Sequence, residues 1–486
     1  MAYTDFIAAI DLGTSHIVGM VGTKNASGAL SILAYEVEKA EGSIRRGCVY
    51  NGEEVAYHIG LLLRKLENKL DGAKIDKVYI GIGGQSLRSM DYTVNKVLGS
   101  GGEVTEAILQ EMAKDCRMYR PAELDVFDIV SPAYYLDGRA ENEPLGVNCS
   151  RIDAKYKLIV GRPVLRRSIE NTVKERIKRK VPRVLVSPIA LANLVLTDAE
   201  RQQGGILIDF GAGVTSVSAY RKGRLQMLYV VPFGSHLITR DIASGLDVSE
   251  SEAERLKRVH GMALPNKEIE QQPLDINRMD GVHTIKQTNL DEIVEARVRE
   301  IIENVYARVQ DSNILKDGGY SIVIAGGGAM LKDLREAVKS RFKMDVRIAS
   351  ARRDLIEGND MIANNPEYML AAALLLQCEE NCAEQPEVKV QTPTFVKPKV
   401  EPKSNPAPTQ PKQEEKKVEA PQPDIDVEAE EQAEILRRQA AEEEQKRKEK
   451  ERIKRLQEEE RRKGPTLWGK IWGKIEQVTE IKDKDY

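Results

Sequence analysis

Two short segments about 200 residues apart carry the same pattern, and that repeat constrains the fold more than any other feature of the chain. Ala9-Ile10-Asp11-Leu12-Gly13-Thr14-Ser15 is an apolar strand ending in aspartate, then an apolar residue, a glycine and a turn of small residues. Leu207-Ile208-Asp209-Phe210-Gly211-Ala212-Gly213-Val214-Thr215 repeats it. A second β-type run follows each turn, Ile17-Val18-Gly19-Met20-Val21 and Val217-Ser218-Ala219-Tyr220. Each segment therefore reads as a β-hairpin. Two copies of one hairpin predict two similar lobes that face one another.

The chemistry expected of such turns is anion binding. Glycine lets backbone N–H groups approach an anion closely, and successive N–H groups in a turn form an anion-binding concavity. Thr14 and Ser15 add hydroxyl donors in the first turn, and Gly211, Ala212, Gly213 and Thr215 form the second. A bare phosphate would be repelled by Asp11 and Asp209. A hydrated Mg²⁺ between them resolves the conflict, because Mg²⁺ keeps several waters and accepts help from carboxylates. Asp11 and Asp209 are thus candidate ligands to Mg²⁺ through water, and Asp209 is the candidate to polarise an attacking water. A third motif, Ile322-Val323-Ile324-Ala325 followed by Gly326-Gly327-Gly328, is a buried-type strand running into bare backbone. A flat group such as adenine or ribose can lie there. Leu331 to Lys339 then reads as a helix. Glu254 and Lys257, three apart on a predicted helix, fit either a contact to ribose and adenine or a surface ion pair.

Composition divides the chain of 486 residues near residue 383. Before it, apolar strands and amphipathic helices alternate. From 383 to 426 the chain is rich in Pro, Lys, Glu and Gln and reads as a linker that buries too little to fold. Treated as a coil it spans a root-mean-square distance of about 35 Å. Residues 427–463 are almost wholly Glu, Lys, Arg, Gln and Ala, with pairs such as Glu451 and Arg455 at helical spacing. Too few apolar residues are present for a coiled-coil seam, so a solvated helix about 55 Å long is expected. Gly464-Pro465 ends it. In residues 464–486, Leu467, Trp468, Ile471, Trp472, Ile475 and Val478 fall on one helical face, and both tryptophans of the chain are there. Tryptophan favours the bilayer interface and the neighbouring lysines favour anionic headgroups, which predicts an amphipathic helix lying on a membrane.

The net charge of −3 gives no support to a nucleic-acid partner. The five cysteines (Cys48, Cys116, Cys149, Cys378, Cys382) are sparse and read as reduced thiols of a cytosolic protein. Cys378 and Cys382 are spaced to share a helix face. No basic leader precedes the first strand, and no apolar run of about 18 residues is available to span a bilayer.

The order of the three glycine motifs resembles the actin, Hsp70 and sugar-kinase superfamily. Lys77-Val78-Tyr79-Ile80-Gly81-Ile82-Gly83-Gly84-Gln85-Ser86, Val231-Pro232-Phe233-Gly234-Ser235-His236-Leu237-Ile238-Thr239-Arg240-Asp241 and Arg45-Arg46-Gly47 narrow the resemblance to bacterial FtsA cell-division proteins, over about residues 5–380. The resemblance implies an α/β, two-lobed actin-like ATPase fold built of duplicated ribonuclease H-like lobes. It implies the division 1–83 (first lobe), 84–162 (inserted subdomain), 163–200 (first lobe and inter-lobe connection), 201–345 (second lobe, with a smaller subdomain at about 230–310) and 346–382 (return to the first lobe). ATP and Mg²⁺ are the implied cofactors. The implied partners are the C-terminal peptide of FtsZ, bound around residues 240–310, further copies of the chain in a filament, membrane lipids, and later division proteins. The implied location is the inner face of the cytoplasmic membrane at the division septum. Arg255, Lys257, Arg258, Arg297 and Arg299 are candidates to meet an acidic peptide. A pilus-assembly actin homologue shares this fold and insertion, and a sugar kinase would need a catalytic aspartate that is not identifiable. Around Ser187-Pro188 no Glu, Gln or His is poised as a general base, and neither His16 nor His236 is assigned. At most a slow ATPase is expected.

Overall fold

The computed structural model describes residues 4–40, 42–265, 272–358 and 364–384. The charged segment 427–463, the helix expected over 464–486 and all but the first two residues of the linker lie outside the described residues.

The hairpin repeat extends to five consecutive strands of each large sheet. In the first lobe the order is Val184–Val186, Tyr79–Ile82, Ile7–Leu12, His16–Lys24, Leu30–Lys39. In the second it is Val346–Ile348, Ser321–Ala325, Gly205–Phe210, Thr215–Arg221, Arg224–Val231. In both, the first three strands are parallel and the next two are added as antiparallel neighbours. The parallel strands end on the same edge, which brings the turns after Leu12, Ile82, Val186, Phe210 and Ala325 to the ends where ligands of α/β sheets bind.

Helices cover these sheets, so the central strands read as unbroken apolar runs. Ala8, Ala9 and Ile10 are all buried, as are Ile206, Leu207 and Ile208. Helix Gly52–Lys69 starts where the Asn51 side chain accepts from the N–H groups of Glu53 and Glu54. Its buried residues Val55, Ile59, Leu62, Leu63 and Leu66 form one stripe against the first sheet. Gly19 of the sheet lies under that stripe, where a Cβ would fall 2.2 Å from the Leu62 Cδ2. Helix Met369–Leu376 has no polar side chain at all and packs between the first sheet and helix Ser187–Val195.

Residues Arg88–Gly161 form a unit with its own core of Val94, Met112, Ile152, Ala154 and Leu158. Strands Arg88–Glu103, Asn148–Gly161, Asp125–Leu136 and Arg139–Glu141 carry helix Glu106–Met118, capped by Thr105. The unit leaves and rejoins the first lobe in sequence, yet its first strand is bonded to the second lobe. Arg88 pairs with Tyr229, the Leu228 N–H donates to Ser89 Oγ at 2.9 Å, and the Val230 N–H donates to the Leu87 carbonyl.

Two local expectations are corrected. The helix placed at Leu331 to Lys339 begins later, at Leu334. A 3₁₀ turn occupies Gly327–Met330, and Lys332 is drawn into a bridge with Met262, so the backbone stays extended until Asp333. Cys378 and Cys382 do not share a helix face, because the helix stops at Leu376. The Cys382 N–H donates to the Phe6 carbonyl, which pulls the chain out along the first strand. All five cysteines are free.

Ala372 is fully buried in the apolar helix, which packs between the first sheet and helix Ser187–Val195. Ala372→Leu should therefore lower stability by about 1–3 kcal/mol through overpacking, read as a lower urea midpoint at unchanged slope.

Candidate functional site between the two hairpins

The two hairpins have the same register. Asp11 pairs with Val18 and Leu12 with Ile17 in the first, and Asp209 with Ser216 and Phe210 with Thr215 in the second. The loops left open, 13–16 and 211–214, are equal in length, and each opens on glycine. A Cβ on Gly13 would lie 2.6 Å from the His16 carbonyl oxygen, and one on Gly211 would lie 2.9 Å from that of Val214. The same close fold-back excludes side chains at both positions.

The loops touch across the lobes. A Cβ on Gly213 would sit 2.3 Å from Thr14 Oγ1 and 2.8 Å from its Cβ. Thr14 Oγ1 also accepts the Gly47 N–H at 3.1 Å, so the first loop is braced by its own lobe while it lies against the second. Gly326, with φ of 83°, closes on the second hairpin. A Cβ there would meet Asp209 Oδ1 at 2.4 Å and the Phe210 carbonyl oxygen at 2.6 Å. Gly328 packs on Phe210 and on Ser235, whereas the Cα of Gly327 faces open space.

Asp11, Gly13, Thr14, Gly211, Ala212, Gly213, Asp209 and Gly326 to Gly328 thus form one contiguous set, with Ser15 on its exposed rim. Thr215 is set apart from them. It is fully buried and its hydroxyl donates to the Phe233 carbonyl at 2.8 Å, so it holds the neighbouring segment in place instead of offering a donor.

The sequence model of the family described as "Cell division protein FtsA" matches residues 206–373. The cell division protein FtsA of Porphyromonas gingivalis is 32% identical over 381 residues, covering 78% of this chain and 79% of that protein. The chain belongs to the FtsA family. The FtsA of Neisseria meningitidis serogroup B is 27% identical over 376 residues, covering 76% of this chain and 89% of that one. Among solved structures, a chain of the PilM-PilN type IV pilus biogenesis complex superposes with a TM-score of 0.53 at 13% identity, over 76% of this chain and 97% of its own. That likeness is one of fold. The two-lobed architecture is the actin-like one, carried here by a cell-division protein.

Within the FtsA-type cleft, the carboxyls of Asp11 and Asp209 lie where the lobes meet. Burial pushes Asp11 up from 3.8 to about 7, and the charge of Asp209 adds to the effect. Burial alone raises Asp209 to about 6. Among the described residues no group of three His, Cys, Asp or Glu side chains is placed to hold a metal ion. A cation at this pair would therefore complete its shell with water or with a ligand's oxygens.

Glu254 and Lys257 are joined to the same region. Helix Glu250–Val259 is capped by Ser249. Lys257 Nζ donates to Glu254 Oε2 at 2.6 Å, to Thr239 Oγ1 at 2.8 Å and to the Ser235 carbonyl at 3.4 Å. Thr239 Oγ1 donates to Glu254 Oε2 at 2.6 Å. Burial lowers the lysine, against the pull of Glu254. Burial would raise Glu254, but the bonds from Lys257 and Thr239 hold it below its ordinary value. The structure shows the ion pair, and because Ser235 packs on Gly328 the pair is set beside the glycine turn.

Three positions escaped sequence reasoning. Gly47 braces Thr14; Thr239 links Glu254 to Lys257; and Gly234 lies so close that a Cβ would fall 2.3 Å from the Ala212 carbonyl oxygen. The Ala212 carbonyl also accepts the His236 N–H at 2.9 Å. Each depends on a partner distant in sequence, although Gly47 and Gly234 stand inside segments that carry the family resemblance. His16 turns away, with Nε2 3.8 Å from Glu367 Oε1. Most of the basic residues expected to meet an acidic peptide have partners already: Arg255 with Glu252, Lys257 with Glu254, Arg297 with Asp241 and Glu300, and Arg299 with Glu295. Arg258 is exposed.

The raised carboxyls set a pH dependence. A carboxyl whose pKa rises on folding stabilises the fold below its unfolded value and loses that contribution as pH climbs through the folded value. For Asp11 the window runs from 3.8 to about 7. The melting temperature of the ligand-free protein should fall across it, and Asp11→Asn should flatten that part of the profile. The variant's gain over the parent should grow by about 1.4 kcal/mol for each unit of the window and level off above it.

Proposed function

We propose that the chain binds ATP·Mg²⁺ between its lobes, polymerises, and tethers FtsZ to the inner face of the cytoplasmic membrane at the division site. The meeting of Thr14 with Gly213, above the facing carboxylates Asp11 and Asp209, carries this reading. Two loops of bare backbone at that contact fit a polyphosphate gripped from both sides. Gly13, Thr14 and Ser15 would hold it from one lobe and Gly211, Ala212 and Gly213 from the other. Asp11 and Asp209 would hold Mg²⁺ through water, which relieves their mutual repulsion and neutralises phosphate charge. The open face of Gly327, flanked by Gly326 and Gly328, would take the adenosine, with Glu254 and Lys257 beside it. Asp209 is the candidate to orient a water towards the phosphate.

The remaining parts of the reading rest on the C-terminal residue pattern and on what the family resemblance implies. Residues 464–486 would lie on the membrane as an amphipathic helix, with Leu467, Trp468, Ile471, Trp472, Ile475 and Val478 inserted. Each large apolar side chain contributes at most about 1.5–3 kcal/mol, so one tail binds reversibly. Many tails on one filament bind far more firmly. The subdomain at about 240–310 would take the C-terminal peptide of FtsZ, and the insertion at 84–162 would replace a subdomain of actin. Among the described residues no helix is long and apolar enough to cross a membrane. The proposed ties to lipid, to the FtsZ ring and to later division proteins make the protein an adaptor of the septum.

Asp209→Ala should weaken Mg²⁺-dependent ATP binding at least tenfold, the equivalent of about 1.4 kcal/mol, in calorimetric titration. An unchanged titration would remove the cleft from consideration. Separately, deleting residues 464–486, or Trp472→Asp alone, should shift the protein from pellet to supernatant when it is sedimented with anionic vesicles. ATP affinity should stay as it was; continued pelleting would refute the tail assignment.

A further inference from the structure

We infer that the junction between the first lobe and the insertion is a binding site for a small tetrahedral oxyanion of the phosphate class, separate from the cleft between the lobes. A cavity of ≈ 490 Å³ opens there, with Gln85, Ser86, Arg88, Glu123, Leu124 and Arg162 in its wall. Arg88 stands on the segment by which the chain passes into the insertion, and Arg162 on the segment by which it returns. Arg88 lies opposite Val160, and Arg162 follows just past the end of that strand at Gly161. The site is thus built from both crossings and closed by a turn of the insertion itself.

Its chemistry is that of unused donors. The Arg162 N–H donates to Ser86 Oγ at 3.0 Å, which leaves the hydrogen of that hydroxyl to point elsewhere. Among the described residues neither the Arg88 nor the Arg162 guanidinium has an ion-pair partner. Nearby Arg166, by contrast, is engaged by Asp125 at 3.6 Å and by the Phe127 ring. Two guanidiniums brought to one cavity repel each other, and an oxyanion between them turns that repulsion into paired charge-assisted hydrogen bonds. The wall is too polar for an apolar guest. Glu123 is the one carboxylate in the lining, on a backbone held at φ 60°. It opposes an anion, and the two guanidiniums outweigh it.

The cavity is linked to the first hairpin by a short path. The Gln85 N–H donates to the Arg46 carbonyl at 3.2 Å, and the next residue, Gly47, donates to Thr14. An oxyanion bridging Arg88 and Arg162 draws the two crossings together and fixes the angle of the insertion, one turn away from the loop that meets the second lobe.

The test is a titration of the full chain with inorganic phosphate at constant ionic strength, followed by phosphorus NMR line width. It is run with and without a saturating non-hydrolysable ATP analogue to fill the cleft between the lobes. Saturable phosphate binding should persist with the analogue present. Arg88→Gln with Arg162→Gln should weaken it at least tenfold, and Glu123→Gln should tighten it, because removing the opposing charge helps an anion. The Arg88→Lys, Arg162→Lys pair should retain part of the affinity and the parent's melting curve, which separates charge from folding. Phosphate binding of parental strength in the double glutamine variant would overturn the assignment, as would loss of all phosphate binding once the analogue is bound. Failure of the analogue itself to bind would count against the ATP reading alone, since the variants can still be compared in its absence.

Discussion

The approach of Thr14 to the backbone of Gly213 is the constraint on which the rest of the structure depends. For the two loops to meet, each lobe must present its first hairpin at the same sheet edge, in the same register, with a glycine facing the Thr14 side chain at the contact. That requirement explains the shared strand order of the lobes, the glycine that opens each loop, and the glycine turn packed behind Asp209. It explains as well why so much hydrogen bonding is spent on supports. Gly47 braces one loop, and the N-terminus of helix His236–Leu246 braces the other through the Ala212 carbonyl.

The same approach sets the electrostatics. Closing the loops leaves two partly buried carboxylates facing the same region, and withdrawing like charges from water is costly. The structure tolerates this because each group can hold a proton near neutral pH. Lys257 and Glu254 solve the opposite problem nearby, where a largely buried ammonium is paired with a half-exposed carboxylate and further satisfied by Thr239 and by the Ser235 carbonyl. The carboxylate pair therefore lacks a basic partner of its own, whereas the Lys257–Glu254 pair is compensated within itself.

What was legible in the sequence was local. A strand, an aspartate and a glycine turn are read from adjacent residues, so both hairpins and the triple-glycine turn stood out, and their repetition carried the fold class. What was not legible depends on distant partners. Nothing in the residues around Thr215 shows that its hydroxyl is bound to Phe233, and nothing near Thr239 announces the two charges it joins. The late start of the helix at Leu334 results from a bridge between Lys332 and Met262, which overrides a local sequence that favours helix. The cysteines at 378 and 382 have helical spacing, yet pairing of the chain with Phe6 decides their backbone. The cavity at the insertion escaped for the same reason, since Arg88 and Arg162 are far apart in sequence and adjacent only because their strands pair.

The bond between Arg88–Glu103 and Arg224–Val231 carries a mechanical implication. The insertion is spliced by covalent chain into one lobe and zipped by hydrogen bonds to the edge of the other. It behaves like a crank held at two points: turning one lobe about the other must either unzip the Tyr229 pairing or swing the whole unit through an angle. A small rotation at the cleft would then become a larger displacement at the end of the insertion furthest from the Tyr229 pairing.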